Sequence, residues 1–357
     1  MIAVENAQEF AELVKSESHI RVVGGGTKSA TVGHANVTTS KMSGVLQYDP
    51  GEFTFTALAG TRVEEIENLL AKKNQYLPFD APLVAAGATL GGTVASGHSG
   101  SGRFRYGGVR DFLLGATFIT GNGVPVTTGS KVVKNAAGFD FPKLMVGSLG
   151  CYGLMTELTF KVFPQPQASA TVVFQATSLL QAVELLVQLA GSQMDLACLD
   201  MDSNHQVFAR LCGFENAVPK RVQRLRESTE ASSLVLPDDQ EADWWNDARE
   251  FRWLPEGYDL VKIPATPSRI SKIVGRLSGI PCRFTVGGNV AWIGWPSDQD
   301  AAELETSLRE LHCSGVFLTG SRKAPFLNHA NDCAFNDRLR DAMDPDRKFS
   351  LQPLANV

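Results

Sequence analysis

Along the first half of the chain, apolar positions recur at spacings typical of short strands and helices in alternation. One helical stretch places Val63, Ile66, Leu69 and Leu70 on the same face. Asn122 and Gly123 lie between two apolar runs, which is typical of a β-hairpin because glycine adopts the positive φ of a tight turn. The pattern predicts a helix at 63–73 and strands at 20–23, 112–120, 124–127 and 154–162.

The second half predicts an α+β domain with an antiparallel sheet. Its apolar spacing indicates helices at 178–190, 218–231 and 270–277 and strands at 207–212, 284–286 and 290–295. A Val-Phe-Pro-Gln-Pro segment at 162–166 separates this half from a glycine-rich first half. We therefore expect domains at 1–165 and 166–330. A helix and tail at 331–357 are expected to return toward the first domain.

Composition and charge restrict the functions that this chain of 357 residues can have. The chain has 33 Lys and Arg and 38 Asp and Glu, and its basic residues form no stripe along the sequence. We therefore expect no nucleic-acid partner. The apolar runs are too short to span a bilayer, and the first residues lack a signal pattern. We expect a cytoplasmic protein, either free or held at the inner face of the membrane through partners.

The six cysteines are scattered and form no C-x-x-C pair or other zinc or iron–sulfur spacing. They are Cys151, Cys198, Cys212, Cys282, Cys313 and Cys333. We interpret them as reduced, mostly buried thiols and predict no metal site. If the protein passes electrons to an iron–sulfur cluster, that cluster lies on another chain.

Three glycine clusters are the main candidates for ligand binding. The first, Gly24-Gly25-Gly26-Thr27-Lys28-Ser29, follows a strand, and such a backbone can point several N–H groups at a pyrophosphate. It lacks the last glycine of G-x-G-x-x-G and the spacing of a P-loop. Taken alone, this cluster favours a plain tight turn.

The second cluster strengthens the case for a ligand, because its small residues bury little apolar area and leave space to fill. Its candidate binding residues are Gly87, Ala88, Thr89, Gly91, Gly92, Ser96, Gly97, Ser99, Gly100, Tyr106 and Val109. In the third cluster Gly147, Gly150 and Gly153 recur at every third position before a strand. That spacing indicates a close-packed turn against a ring system.

In their order along the chain and in their residue sequences, these segments resemble the FAD-linked oxidases of the vanillyl-alcohol oxidase (PCMH) type. The likeness is carried by Gly-Gly-Gly-Thr-Lys-Ser, Ala-Thr-Leu-Gly-Gly-Thr-Val-Ala-Ser-Gly, Val-Arg-Asp-Phe-Leu-Leu-Gly and Gly-Leu-Met-Thr-Glu. Within that group the chain is most similar to the small FAD-binding subunits of bacterial glycolate oxidases. The resemblance implies an α+β protein, with an FAD-binding domain of two α/β subdomains followed by a smaller cap domain with an antiparallel sheet.

The resemblance also implies a role for each cluster. Residues 24–29 would wrap the FAD pyrophosphate, and residues 87–97 would line the ribityl and phosphate path. Gly150, Gly153 and Leu154 would meet the adenine end. Relatives with covalent flavin use a His in the first loop or a Cys in the second, where this chain has Thr27 and Ala95 or Ser96. Non-covalent FAD is therefore expected.

The sequence departs from relatives that oxidise lactate or glycolate directly, because it lacks their His-x-Gly-Asp-Gly-Asn-x-His segment. Three histidines beyond the boundary are isolated, namely His205, His312 and His329. Arg322, Lys323 and His329 could supply a cation and a base, but a solvated polar loop is favoured. Arg103 and Arg105 are further candidates. Leu149 replaces a common Glu, and residues 349–353 replace the usual Asn-Pro-Gly ending.

Three functional hypotheses remain open, and the catalytic residues are unknown from sequence. The leading one is the FAD-binding subunit of a glycolate oxidase complex, which acts on a small 2-hydroxy acid with a catalytic FAD subunit and an iron–sulfur subunit. The second is a stand-alone FAD-dependent 2-hydroxy-acid dehydrogenase. The third is a structural flavoprotein without turnover.

Overall fold

The computed structural model describes residues 1–129, 140–322, 324–329 and 334–349, without the side chain of residue 334. It divides into two compact units. The first comprises Met1–Ser99, Gly108–Gln165 and the chain from residue 330 onward. The second comprises Gly100–Gly107 and Pro166–His329. The second unit thus takes in eight residues that the sequence analysis placed within the first domain.

Strands of the first unit form a parallel and an antiparallel sheet. The parallel sheet contains β1 (Ile2–Ala3), β2 (Val22–Val23) and β3 (Val37–Thr38), with β3 in the middle. The antiparallel sheet contains β4 (Val45–Asp49), β5 (Thr54–Leu58), β7 (Leu113–Ile119), β8 (Pro125–Gly129) and β9 (Leu154–Lys161). Its order is β4-β5-β9-β7-β8. A short ladder pairs β6 (Gln75–Tyr76) with β10 (Phe163–Pro164).

Helices of the first unit are mostly short. They are α1 (Ala7–Ser16), α2 (Ser29–Val32), α3 (Val63–Ala71), α4 (Leu90–Ser96), α6 (Val109–Phe112), α7 (Phe141–Met145) and α13 (Ala334–Met343). Helix α1 begins where the Asn6 side chain accepts from the Glu9 backbone N–H at 2.9 Å. Its face with Phe10 and Val14 is buried in a core that also contains Ile20.

The second unit is built on one nine-stranded antiparallel sheet. In sequence its strands are β11 (Ala168–Gln175), β12 (Cys198–Asp202), β13 (Gln206–Gly213), β14 (Ser232–Val235), β15 (Tyr258–Pro264), β16 (Cys282–Thr285), β17 (Val290–Pro296), β18 (Gly315–Phe317) and β19 (Phe326–Leu327). The order is β14-β11-β13-β12-β16-β17-β15-β18-β19. Its helices are α5 (Arg103–Tyr106), α8 (Leu179–Ala190), α9 (Val218–Glu227), α10 (Asp238–Arg249), α11 (Ile270–Arg276) and α12 (Ala301–Glu310), with a 3-10 turn at Pro267–Arg269.

Most sequence-predicted elements are present, with changed ends. The predicted hairpin is formed by β7 and β8, and Gly123 in its turn has a φ of 71°. The helix predicted at 218–231 is wrong at its end, because α9 stops at Glu227. There the Ser228 hydroxyl and N–H both turn back to the Leu225 carbonyl. The start of the helix predicted at 331–343 lies outside the described residues.

Two absences apply to the part of the chain that is described. None of its helices is long and apolar enough to cross a membrane. No group of three or more His, Cys, Asp or Glu side chains in it could hold a metal ion. Five cysteines lie in the described residues and form no disulfide there, and four of these are buried; Cys333 lies outside the described residues.

A buried ion pair fixes α10 to the sheet of the second unit. Glu241 is 3% exposed, and its two carboxylate oxygens accept from Arg210 Nε and Nη2 at 2.8 and 2.9 Å. The hydroxyls of Thr171 and Ser169 donate to the same carboxylate. The Trp245 indole N–H donates to the Thr171 hydroxyl at 2.8 Å. All strong acceptor positions of this carboxylate are therefore used.

Replacing Glu241 by Ala should destabilise the protein by about 3 kcal/mol, because it leaves the Arg210 guanidinium, whose side chain is only 23% exposed, without its counter-charge. Urea unfolding followed by circular dichroism measures this change. The matched control is Asp247→Ala on the same helix, where the pair with Arg252 is 49% and 64% exposed. It should cost less than about 1 kcal/mol. Equal losses in the two variants would contradict a special role for the buried pair.

Candidate cofactor site

A cleft in the first unit collects residues from three glycine-rich segments. The space between its walls that holds no protein atom is about 950 Å³, and this volume includes space open to solvent. Most of its lining comes from residues 20–32, 89–96 and 149–155. Phe10, Thr39, Ala59 and Phe349 complete it.

Two of these segments lie in close contact. A β-carbon on Gly24 would lie 2.1 Å from Thr89 Oγ1, and one on Gly25 would lie 1.9 Å from the Gly87 carbonyl oxygen. Neither position has room for a side chain, so the loops would have to separate to accept one. The close approach brings the first glycine loop and the start of α4 to the same edge of the cleft.

The first loop offers unused hydrogen-bond donors. Within the described residues, the backbone N–H groups of Gly25, Gly26 and Thr27 make no hydrogen bond. Gly25 and Gly26 are exposed, and Gly26 has a φ of 69°. Successive free N–H groups of this kind form a concave site for anions. Arg21 and Lys28 also line the cleft and give it positive charge.

Helix α4 and the third glycine segment form a fixed frame around the cleft. Thr89 precedes α4, and its hydroxyl accepts from the Gly92 N–H at 3.3 Å. Leu149 N–H donates to the Ala95 carbonyl at 2.8 Å. Leu149 and Gly150 both have left-handed backbone, with φ values of 50° and 82°. The third segment is therefore held by backbone bonds and presents its turn to the cleft.

One wall of the cleft is apolar. Phe10, Ile20, Leu154 and Phe349 line it, and all four belong to a single buried core cluster. Sequence analysis placed only Leu154 in the site. The amphipathic pattern of α1 could have indicated that Phe10 is buried, but no local pattern marks Phe349 as a neighbour of Ile20.

The predicted binding residues divide into two groups. Those that line the cleft are Gly24, Gly25, Gly26, Thr27, Lys28, Thr89, Gly91, Gly92, Ser96, Gly150, Gly153 and Leu154. Those of the first unit that do not line it are Ser29, Gly87, Ala88, Gly97, Ser99 and Val109. Gly100 and Tyr106 belong to the second unit. The part that each residue plays in cofactor binding stays a prediction.

Some predicted residues outside the lining shape the backbone around it. Gly97 ends α4 with a φ of 66°, and a β-carbon there would lie 3.0 Å from Gly147. Ser99 Oγ accepts from the Val109 N–H at 2.9 Å. These contacts belong to the packing of the fold, and a direct role of these residues in cofactor binding stays a prediction.

The chemistry of the cleft suits a dinucleotide. Its free N–H groups and two cations suit a pyrophosphate, and its apolar wall suits a planar base. The glycines at its edge allow the phosphates to approach the backbone closely. The residues present are therefore able to hold FAD without a covalent bond, as the sequence predicts.

Arg322 has a structural role in the second unit. Its guanidinium donates to Asp259 Oδ2 at 2.8 Å and to the backbone carbonyls of Gln299 and Pro296 at 3.0 and 3.1 Å. It is thus fixed by three partners and is not a free cation for a substrate. Lys323 lies outside the described residues. Arg105 forms an ion pair with Asp195.

A cationic cluster in the second unit was not predicted from sequence. Lys262, Trp292 and Arg283 are direct cross-strand neighbours on β15, β17 and β16, so their side chains share one face of the sheet. Lys262 Nζ lies 5.7 Å from the centre of the Trp292 indole. Burial, and then the nearby Arg103, lower the pKa of Lys262 to about 8. Burial also lowers the pKa of Arg283, which lies over Trp244.

Comparison with known proteins agrees with the chemistry of the cleft. A family model described as an FAD binding domain matches residues 1–129. The chain is 36% identical to glycolate oxidase subunit GlcE of Escherichia coli (strain K12), over 78% of this chain and 84% of that protein. It is 28% identical to a D-lactate dehydrogenase of Anaerostipes hadrus and 26% identical to glycolate oxidase subunit GlcD of Bacillus subtilis (strain 168). It spans only 41% and 44% of those two longer proteins.

Solved structures show that the fold is shared more widely than the sequence. Alkyldihydroxyacetonephosphate synthase superimposes on 97% of this chain with a TM-score of 0.73 at 17% identity, over 74% of its own length. That likeness confirms the predicted α+β fold of the PCMH type, with its antiparallel sheet. The match to GlcE has a higher sequence identity than this structural likeness, and it extends over most of both chains. The protein therefore belongs to the FAD-binding oxidoreductase family of glycolate oxidase subunit GlcE.

Proposed function

We propose that this chain is the FAD-binding subunit of a glycolate oxidase complex. It would act together with a catalytic flavin subunit and an iron–sulfur subunit in the oxidation of a small 2-hydroxy acid such as glycolate. The proposal is carried by one observation, the glycine-edged cleft in the chain that aligns with GlcE over most of its length. The relatives GlcE and GlcD are both glycolate oxidase subunits, which supports an assembly of several chains.

The chain's own residues would bind and orient the cofactor. The N–H groups of Gly25, Gly26 and Thr27 would hold the pyrophosphate, while Arg21 and Lys28 offset its charge. The apolar wall would exclude water from one ring. Bound FAD supplies a ring system that accepts a hydride or passes on electrons. The described cleft residues include no obvious base, which favours a supporting or relay role over independent turnover.

An absorbance spectrum of the purified chain tests this proposal first. We expect flavin bands, from FAD retained or added, that stay oxidised when glycolate or D-lactate is added without oxygen. Addition of the partner subunits should then allow the bands to bleach. A chain that stays colourless after FAD is added would contradict the cofactor assignment, and bleaching of the chain alone would contradict the supporting role.

Replacing Gly25 by Val should abolish measurable FAD binding, because the new β-carbon would meet the Gly87 carbonyl and force the loops apart. Flavin bound per folded chain measures the effect. The control is Gly275→Ala in α11, where a β-carbon meets no heavy atom within 4 Å. This control should bind FAD like the wild type. Normal binding by the Gly25 variant would rule out the loop contact as part of the site.

A second candidate function, turnover of the 2-hydroxy acid by this chain alone, is favoured by the Lys262 cluster. Such oxidation needs a base for the hydroxyl proton and a cation for the carboxylate. A lysine with a pKa of about 8 is partly neutral at physiological pH and can accept a proton. Arg103 and Arg283 are close enough in the same unit to supply positive charge.

Lys262→Met should stabilise the protein by about 1–3 kcal/mol at pH 7, because the burial cost of the ammonium is removed. The unfolded state binds this proton up to about pH 10.5, whereas the folded state loses it near pH 8. The folded wild type therefore recovers stability as pH rises above 8, and the advantage of the variant shrinks. Urea unfolding from pH 7 to pH 10 measures the trend.

Exposed Lys272 provides the control, since Lys272→Met should change stability by less than about 0.5 kcal/mol. A constant difference between wild type and the Lys262 variant across this range would contradict the lowered pKa. If the second candidate is correct, the same variant also loses any flavin reduction by glycolate in the isolated chain.

A further inference from the structure

The segment Asp344–Phe349 belongs to the first unit, although it follows the whole second unit in the sequence. We call this segment the strap. Phe349 is 3% exposed and belongs to the core cluster of Phe10, Ile20 and Leu154. It is also one of the residues that line the cofactor cleft. More than 300 positions separate it along the chain from Ile20, its neighbour in the cleft wall.

Hydrogen bonds hold the strap in place. The Asp344 carboxylate is fully buried and accepts from the N–H groups of Lys348 and Phe349 at 3.0 and 2.7 Å. The Lys348 carbonyl accepts from the Ile20 N–H at 2.9 Å, and Lys348 Nζ donates to the Val14 carbonyl at 2.7 Å. The strap is therefore tied both to α1 and to the residue two positions before β2.

The position of Phe349 indicates which part of the cofactor it meets. Ile20 leads through β2 into the glycine loop, so the Ile20–Phe349 wall lies at one side of the expected pyrophosphate. The reactive flavin ring must be open to substrate or to a partner, whereas adenine takes no part in the reaction. Adenine, a planar base with apolar faces, suits the apolar side chains that line this wall.

We propose that Phe349 is a cofactor-binding residue whose ring packs against the adenine of FAD, and that the strap is required to form this part of the site. The inference rests on the proposed function as an FAD-binding subunit. It extends the site to a residue outside the glycine clusters and outside residues 1–129, which match the FAD binding domain.

The test compares Phe349→Leu with Phe160→Leu. Phe160 is a fully buried phenylalanine of the same unit that stacks on Phe55 and does not line the cleft. Binding of FAD is followed by flavin fluorescence, and ADP and FMN serve as competitors that carry only one half of the cofactor. Leucine keeps most of the apolar bulk, so the variant is expected to fold, and thermal unfolding without ligand checks this.

The affinity of the Phe349 variant for FAD and for ADP should fall about tenfold, which corresponds to the loss of one aromatic ring contact. Competition by FMN should be unchanged, and the Phe160 variant should match the wild type with all three ligands. If Phe349→Leu binds FAD and ADP as tightly as the wild type does, the inference about Phe349 is wrong and the proposed function is unaffected. Weakening by the same factor in both variants would also overturn it, because the effect would then come from the fold. A wild type that binds no FAD would overturn the proposed function as well.

Discussion

Close contact between the first glycine loop and the turn before α4 is the constraint on which the cofactor cleft depends. The loop after β2 and the turn before α4 approach so closely that neither Gly24 nor Gly25 can carry a β-carbon. The approach leaves N–H groups at the cleft edge without partners in the fold, and it positions Thr89 to begin α4 beside them. The free N–H groups and the start of α4 therefore lie side by side because these two positions are glycines.

Sequence could identify this part of the site because its requirements are local. Missing side chains, left-handed glycines and capping residues each leave a pattern within a few positions, as at Gly24–Lys28 and Thr89–Gly92. Phe10 and Phe349 belong to one core cluster although almost the whole chain separates them in sequence. A phenylalanine near the end of a sequence gives the same pattern whether it lines a cleft or fills a core. Lys262 was missed for a related reason, since only strand register brings it beside Trp292.

The sheet of the second unit carries two buried polar clusters, one in which the charge has partners and one in which the surroundings disfavour the charge. Around Glu241, hydroxyls and a guanidinium satisfy one carboxylate, and the result is a fixed helix position. Around Lys262, burial and a second cation work against the charged form. Satisfied clusters of the first kind specify a fold, whereas perturbed ones of the second kind are more often found where chemistry occurs.

The strap also has a consequence for the order of events during synthesis. At about 5–20 residues per second, Phe349 is added roughly 10 to 45 seconds after residue 129. During that interval the apolar wall of the cleft lacks Phe349. A chain terminated shortly before the strap would retain every glycine of the site and both large sheets, yet would lack that side chain. The wall is therefore the last part of the cleft lining to be completed.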